Sequence, residues 1–156
     1  MVSVSPARRG RVCCRHRTAS GPPGRPRNRI DRSTGCRRDI TDPAFSEALV
    51  DATRRRYGRI DILVNNAGSN DGEPLEDQSL EERTSVIDIN LVALMYVCRL
   101  AAPLLFAAER AAVVNVASMY GIVGSRCPMA AYKATQGAVV NLTRTLAAQW
   151  GSRGYG

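Results

Sequence analysis

The sequence predicts an α/β protein in which a parallel sheet is flanked by helices and preceded by a disordered basic segment. From Asp39 onward, short apolar runs suited to buried strands alternate with apolar residues at helical spacing. This alternation is typical of a parallel sheet with helices on both faces. Before Ile40 the chain instead holds eleven arginines against two aspartates, so the formal net charge of +8 comes from that segment.

Residues 1–38 are rich in Arg, Pro and Gly and show no hydrophobic periodicity. Such a segment buries too little apolar surface to offset its ordering entropy, which predicts disorder. Four alternatives are a nucleic-acid-binding arm, an organellar transit peptide, a metal site at Cys13, Cys14 and His16, and a frameshift or wrong start codon. A nucleic-acid-binding arm is not supported, because no aromatic residues are interleaved with the arginines. The prolines argue against the amphipathic helix of a transit peptide, and the metal site lacks a second pair of ligands at zinc-finger spacing.

The first predicted element of the ordered part is a helix that runs from Pro43 to about Tyr57. Asp42 before Pro43 is a typical N-cap followed by proline at the first helical position, and Gly58 is a typical stop. Residues 60–64 then form a short, mostly apolar run, which predicts a strand buried on both faces.

A second helical region is predicted from the Ser79–Glu82 capping-box pattern to about residue 108. Residues 112–117 predict another buried strand, and residues 129–150 predict the last helix. Each of the two long helices has one apolar stripe. The stripes are Leu94, Val97, Ala101 and Leu105 in the first and Val139, Leu142, Leu146 and Trp150 in the second.

The composition indicates a protein of a reducing compartment, and we expect it to be cytoplasmic. Its five cysteines are irregularly spaced, which argues against a disulfide framework. We expect no membrane span, because the longest apolar region, residues 91–108, is interrupted by Arg99 and Pro103.

Polar residues with possible chemistry follow both predicted strands. Residues 65–68, Asn-Asn-Ala-Gly, come directly after the first strand, and Ser118 ends the second. The carboxyl ends of parallel strands face the ligand crevice of an open α/β sheet. A serine and a tyrosine there, such as Ser118 and Tyr132, could polarise a carbonyl and transfer a proton. Taken singly, each could equally be a routine turn residue or a packed side chain.

In order and spacing, these residues resemble the short-chain dehydrogenases/reductases of the classical type. The features that carry the resemblance are Asn65-Asn66-Ala67-Gly68, Asn90, Ser118 and Tyr132, with Asp39-Ile40 where the family has an acidic–aliphatic pair near adenine. The flanking residues 59–64 and 137–143 are similar as well, and the resemblance covers roughly residues 39–153.

The resemblance implies a Rossmann-type doubly wound parallel sheet, an NAD or NADP cofactor, and hydride transfer between an alcohol and a carbonyl. Tyr132 would be the general acid/base, Ser118 would hold the substrate oxygen, and Asn90 would support a proton relay. The two long helices pair between subunits in the family, which implies a homo-oligomer. Cofactor contacts would fall on Asp39, Ile40, Asn65, Ala67, Gly68 and Tyr132.

The sequence departs from the family pattern at three places. The lysine four residues beyond the tyrosine, which in the family binds the ribose and lowers the tyrosine pKa, is Gln136 here. Lys133, the only lysine, points to another helix face than Tyr132. The family's glycine-rich turn, which binds the cofactor phosphates, is missing. The most similar segment is Gly21-Pro22-Pro23-Gly24, but its prolines have no N–H to donate to a phosphate and no apolar strand precedes it. The family pattern also continues beyond residue 156.

We therefore expect two parts, a disordered segment of residues 1–38 and an incomplete Rossmann-like domain of residues 39–156, truncated at both ends. The expected function is an impaired NAD(P)-dependent oxidoreductase acting on a small carbonyl or alcohol. The alternative is a non-catalytic remnant, or a pairing partner of an intact relative. Binding to nucleic acid is supported only by the arginines of residues 1–38. We expect neither a metal nor a membrane partner.

Overall fold

The computed structural model describes residues 2–5, 11–14 and 39–151 of the 156-residue chain. The elements are β1 (Val2–Ser5), β2 (Arg11–Cys14), α1 (Pro43–Tyr57), β3 (Ile62–Asn65), α2 (Leu80–Ile87), α3 (Ala93–Leu105), β4 (Ala112–Asn115) and α4 (Ala130–Gly151). A π-helical turn, Asp88–Val92, joins α2 to α3, and a short helical turn, Met119–Gly121, precedes α4.

The sheet has the strand order β1-β2-β3-β4. β3 runs parallel to both β2 and β4, whereas β1 is antiparallel to β2. The predicted α/β class with a parallel, partial Rossmann-type sheet is confirmed. β3 begins two residues later than predicted, because the Ile60 N–H donates to Leu104 O (3.0 Å) instead of joining the ladder.

Eight residues of the segment predicted to be disordered are strands in the structure, Val2–Ser5 and Arg11–Cys14. β2 supplies backbone partners to the edge of β3 that would otherwise be open, and β1 pairs in turn with the outer edge of β2. The rest of residues 1–38, including His16 of the metal-site alternative, lies outside the described residues, so disorder there stays a prediction.

The helix ends were correctly predicted where local capping specifies them. The Asp42 carboxylate accepts a hydrogen bond from Ala44 N–H (2.9 Å), and α1 ends at Tyr57 with Gly58, whose φ is 70°, as its C-cap. Only glycine adopts that left-handed conformation without a steric penalty. Ser79 and Glu82 form both halves of the capping box that starts α2.

Ser79→Ala is expected to destabilise the domain by about 1 kcal/mol, because it removes the N-cap acceptor. Hydrogen bonds from Ser79 also lower the pKa of Glu82. Since this pKa is depressed on folding, the stabilisation is present above the unfolded pKa and is lost as the pH falls through the folded value. An NMR titration should therefore show the Glu82 pKa rising part of the way toward its ordinary value in Ser79→Ala, since the variant loses the hydroxyl donor and keeps the larger contribution, the backbone N–H. An unchanged pKa would contradict the contribution of the Ser79 hydroxyl.

The core lies between β3, β4 and the helices, as the two apolar stripes predicted. Leu63 on β3 is 1% exposed. Leu94, Val97, Ala101 and Leu105 are all buried, and Val139 joins them from α4. Leu142, Leu146 and Trp150 are partly buried against the same core.

Within the described residues, this helical layer covers one face of the sheet, whereas the sequence predicted strands buried on both faces. Leu63, Asn65 and Val113 point toward the helices, since their side chains contact α3 or α4. Strand side chains alternate between faces, so Val114 points the other way. It is 48% exposed, and Val116, in the same alternation, is 47% exposed.

The helical run from α2 through α3, Leu80–Leu105, is long and apolar enough to cross a membrane by length and composition alone. This differs from the expectation of no membrane span, which relied on the interruptions in the apolar region of residues 91–108. The apolar side chains of the run also have a second explanation, because Ile89, Leu94, Val97 and Leu105 belong to the core. Core helices of this kind pass the same test, so the run is weak evidence for a span.

Candidate active site

Ser118 and Tyr132 come together in one cavity at the carboxyl end of the sheet. Ser118 follows β4 and Tyr132 lies in the first turn of α4. The cavity has a volume of about 350 Å³, and both side chains are half-buried. The rest of its lining is Ser69, Asn70, Tyr120 and Met129.

The Ser118 hydroxyl is positioned by the helical turn that follows it. Its Oγ accepts a hydrogen bond from the Tyr120 N–H (3.2 Å), as an N-cap does. This bond uses a lone pair and leaves the hydroxyl proton available for an oxygen atom in the cavity. Tyr120, which the sequence analysis missed, therefore contributes both this backbone donor and a ring in the cavity wall.

Asn90 lies in the π-helical turn and is 2% exposed. Its amide donates to Ser69 O (2.9 Å) and Thr135 Oγ1 (3.0 Å), and its Oδ1 accepts from Ser69 N–H (2.9 Å). A Cβ on Gly68 would lie 3.0 Å from Asn90 Oδ1, so this close approach favours glycine. Asn90 thus fixes the loop after β3 against α4, with Thr135 as a partner that the sequence analysis did not identify.

Lys133 is directed away from the cavity. Its ammonium donates to Ser125 O (2.9 Å), Ser125 Oγ (2.8 Å) and Cys127 O (2.7 Å), and it lies 5.4 Å from the centre of the Tyr120 ring. The loop oxygens satisfy all three of its donors.

Gln136 lies one helical turn beyond Tyr132 and is 6% exposed. A Cβ on Gly121 would come within 2.7 Å of the Gln136 backbone, so the turn after Ser118 packs directly on this part of α4. The Oε1 atom of Gln136 is buried and has no hydrogen-bond partner in the described part of the chain. The position therefore holds an uncharged, enclosed side chain.

Asn65 is turned into the protein rather than toward the crevice. It is 6% exposed, and its amide donates to Asn115 Oδ1 (2.8 Å) and Cys98 Sγ (3.2 Å). Asn115 in turn donates to Thr143 Oγ1 (2.9 Å) on α4. Any cofactor contact at Asn65 would therefore come from its backbone, as it would at Ile40, whose side chain is in the core.

Asp39 lies at a second cavity of about 700 Å³, beyond Ser69 from the Ser118–Tyr132 cavity. Its carboxylate accepts hydrogen bonds from the Thr41 N–H (3.0 Å) and hydroxyl (2.8 Å). Ile89 and Ser69 also line this cavity, together with the acidic Glu81 and Asp88.

These residues fit a dinucleotide only in part. Asp39, Thr41 and Ile89 offer acceptors and an apolar wall that suit an adenosine group. A diphosphate needs N–H donors or cations. Among the residues that the structure describes, no lysine or arginine lines this cavity, and its charged residues are acidic. Of the described residues, those around Asp39 therefore suit the adenosine end better than the diphosphate.

The thiols of Cys98 and Cys127 differ in environment. Burial raises the pKa of the Cys98 thiol to about 11, although its hydrogen bond with Asn65 opposes this. Hydrogen bonds with Ser125 and Tyr120 lower the pKa of the exposed Cys127, and the contact with Cys127 raises the pKa of Tyr120.

Comparison with known proteins relates the chain to one family. The family model of the short chain dehydrogenases matches residues 26–154. D-threitol dehydrogenase of Mycolicibacterium smegmatis is 38% identical over 116 residues, which are 74% of this chain and 44% of that enzyme. 3-Oxoacyl-[acyl-carrier-protein] reductase of Thermotoga maritima is 31% identical over 115 residues, 74% of this chain and 46% of that enzyme.

Most of the chain also superimposes on part of a solved structure. Gluconate 5-dehydrogenase from Burkholderia cenocepacia, crystallised with NADP and tartrate, superimposes with a TM-score of 0.69 and 32% sequence identity. The match covers 75% of this chain and 46% of that one. The chain thus spans about half the length of the relatives that it matches.

Proposed function

The chain belongs to the short-chain dehydrogenase family, and on that premise we propose that it is an NAD(P)-dependent oxidoreductase with an impaired chemical step. The observation that supports this most is the shared cavity of Ser118 and Tyr132. The proposed substrate is a small alcohol or carbonyl compound, and the proposed compartment is the cytoplasm. The relatives named above are a D-threitol dehydrogenase, a 3-oxoacyl-[acyl-carrier-protein] reductase and a gluconate 5-dehydrogenase, so family membership leaves the substrate open.

The proposed roles follow from the contacts of each side chain. The Ser118 hydroxyl donates to the substrate oxygen, and the Tyr132 hydroxyl gives a proton to it or takes one from it. Asn90 holds Thr135 and the loop after β3, and so keeps the cavity open beside Tyr132. When bound, the nicotinamide would supply or accept the hydride.

The proposed impairment rests on Gln136. A tyrosine in water has a pKa near 10, so without a nearby cation it is a poor base at neutral pH. Gln136 is uncharged, and the Lys133 ammonium is bound by the Ser125–Cys127 loop. Proposed cofactor contacts are Asp39, Ala67, Gly68 and the backbone of Ile40 and Asn65, together with Tyr132.

The alternative is a non-catalytic protein that pairs with a copy of itself or with an intact relative through α3 and α4. Exposed apolar side chains on α3 and in the π-helical turn favour this alternative. Met95 is 49% exposed and Val92 is 51% exposed, and the two lie three positions apart, on the same side of the helical run.

A thermal-shift titration with NAD(H) and NADP(H) separates these functions. Ligand that binds the folded state stabilises it by about 2.7 kcal/mol at a concentration 100 times its Kd. We expect a concentration-dependent rise of Tm that becomes measurable only at about millimolar nucleotide, since the described residues offer the diphosphate no cationic side chain. Adenosine is the matched control, because it tests the Asp39 end alone. No rise of Tm with either dinucleotide would leave the non-catalytic alternative.

A further inference from the structure

Asp71 binds the start of α4 from a distant part of the chain. Its Oδ1 accepts a hydrogen bond from the Tyr132 N–H (3.0 Å), and its Oδ2 accepts one from the Ala131 N–H (3.2 Å). Asp71 lies in the loop after β3, so these bonds join residues 61 and 60 positions apart. A carboxylate here satisfies two N–H groups that an α-helix leaves without internal partners.

The backbone of Tyr132 is consequently held at both of its polar groups. Asp71 binds its N–H, and the Thr135 hydroxyl donates to its C=O (2.8 Å). Thr135 Oγ1 in turn accepts from Asn90 (3.0 Å). The loop after β3 participates in both contacts, since Asn90 is bonded to Ser69.

Asp71 is itself fixed by a buried side chain. Gln78, which is 6% exposed, donates from Nε2 to Asp71 Oδ2 and to Glu73 O (2.8 Å). The Asp71 carboxylate therefore has three donors around it, two from α4 and one from Gln78. Such charge-assisted hydrogen bonds are stronger than bonds between neutral groups.

We propose that Asp71 is the positioning residue of Tyr132: its two hydrogen bonds to the first turn of α4 set where the phenol stands relative to Ser118. This inference rests on the proposed function for its catalytic meaning, but the geometry that it describes exists without ligand. Catalysis is sensitive to placement, and a displacement of about 1 Å can reduce a rate on the order of a hundredfold. An ordinary helix cap would affect stability alone.

The test is ¹⁹F NMR of the full chain labelled with 3-fluorotyrosine, without nucleotide or substrate. The chain has five tyrosines, and Tyr132→Phe assigns the Tyr132 signal by its disappearance. In Asp71→Ala we expect the Tyr132 signal to shift by more than its linewidth while the signals of Tyr57 and Tyr96 stay in place. Asp71→Asn keeps an oxygen acceptor for the Tyr132 N–H and should recover most of the shift.

Asp77→Ala is the matched control, because Asp77 is an exposed aspartate of the same loop. A Tyr132 signal that stays in place in Asp71→Ala, moves equally in Asp77→Ala, or is not recovered by Asp71→Asn would overturn the proposal. Should Asp71→Ala fail to fold, Gln78→Met decides by the same criterion, since it releases Asp71 without altering α4. The result does not depend on nucleotide binding, so a failed thermal-shift titration would reject the proposed function and leave this inference standing.

Discussion

Gln136→Lys is expected to accelerate hydride transfer by about fivefold to about a thousandfold. A cation about 4 Å from a developing phenolate stabilises it by roughly 1–4 kcal/mol, depending on the effective dielectric. Each 1.36 kcal/mol is a factor of about ten in rate. Gln136 lies one helical turn from Tyr132 and is 6% exposed, so a charge there is only weakly screened by solvent and salt. The rate increase should therefore lie toward the upper end of the range.

The pH dependence of the same variant should change in a defined direction. A lysine ammonium favours the ionised phenol, so the rising limb of the rate of alcohol oxidation moves to lower pH. The variant should also melt at a lower temperature than the parent protein, because a buried ammonium is desolvated. Gly121 packs tightly on this part of α4, which limits how far the surroundings can relax.

The measurement is NAD(P)H absorbance at saturating nucleotide with a panel of small alcohols and carbonyl compounds, D-threitol among them. Gln136→Met is the matched control, since it has a similar volume and no charge. Adding Tyr132→Phe to Gln136→Lys should remove the gain. A lysine variant no faster than the methionine variant would mean that the missing cation is not what limits the chemical step.

Leu63→Ala is expected to destabilise the domain by about 2–5 kcal/mol, the range for truncating a fully buried leucine. Leu63 is 1% exposed at the centre of β3 and belongs to the main core cluster. Domains are stable by only about 5–15 kcal/mol, so this loss is a large part of the total. Urea unfolding followed by circular dichroism gives the change from the shift of the midpoint at constant slope.

Val64→Ala is the control for Leu63→Ala, because the two residues are neighbours on β3 and point to opposite faces. Val64 is only half-buried, so its truncation should cost about 1 kcal/mol or less. Equal losses for the two variants would show that both faces of the sheet are covered to the same degree. That result would contradict the one-sided helical layer of the described residues.

Elements specified by neighbouring residues were predictable from the sequence. Asp42 and Gly58 delimit α1, and Ser79 with Glu82 starts α2, because capping depends on groups only two to four positions apart. The helical stripes likewise indicated the core, since a period of 3.6 residues specifies which side chains share a face. The order of Asn90, Ser118 and Tyr132 indicated the family, which the family model confirms.

The sequence by itself thus determined the helices, the strands β3 and β4 and the family, whereas the tertiary structure decided that β1 and β2 complete the sheet and how the site is held. No local pattern predicts that Asp71 binds the Tyr132 N–H, that the Lys133 ammonium binds the Ser125–Cys127 loop, or that Asn65 turns into the core. Each depends on loops brought together by the packing of β3, β4 and α4. Periodicity and capping act within a few residues, and contacts between residues 61 apart exist only once the sheet and helices have packed.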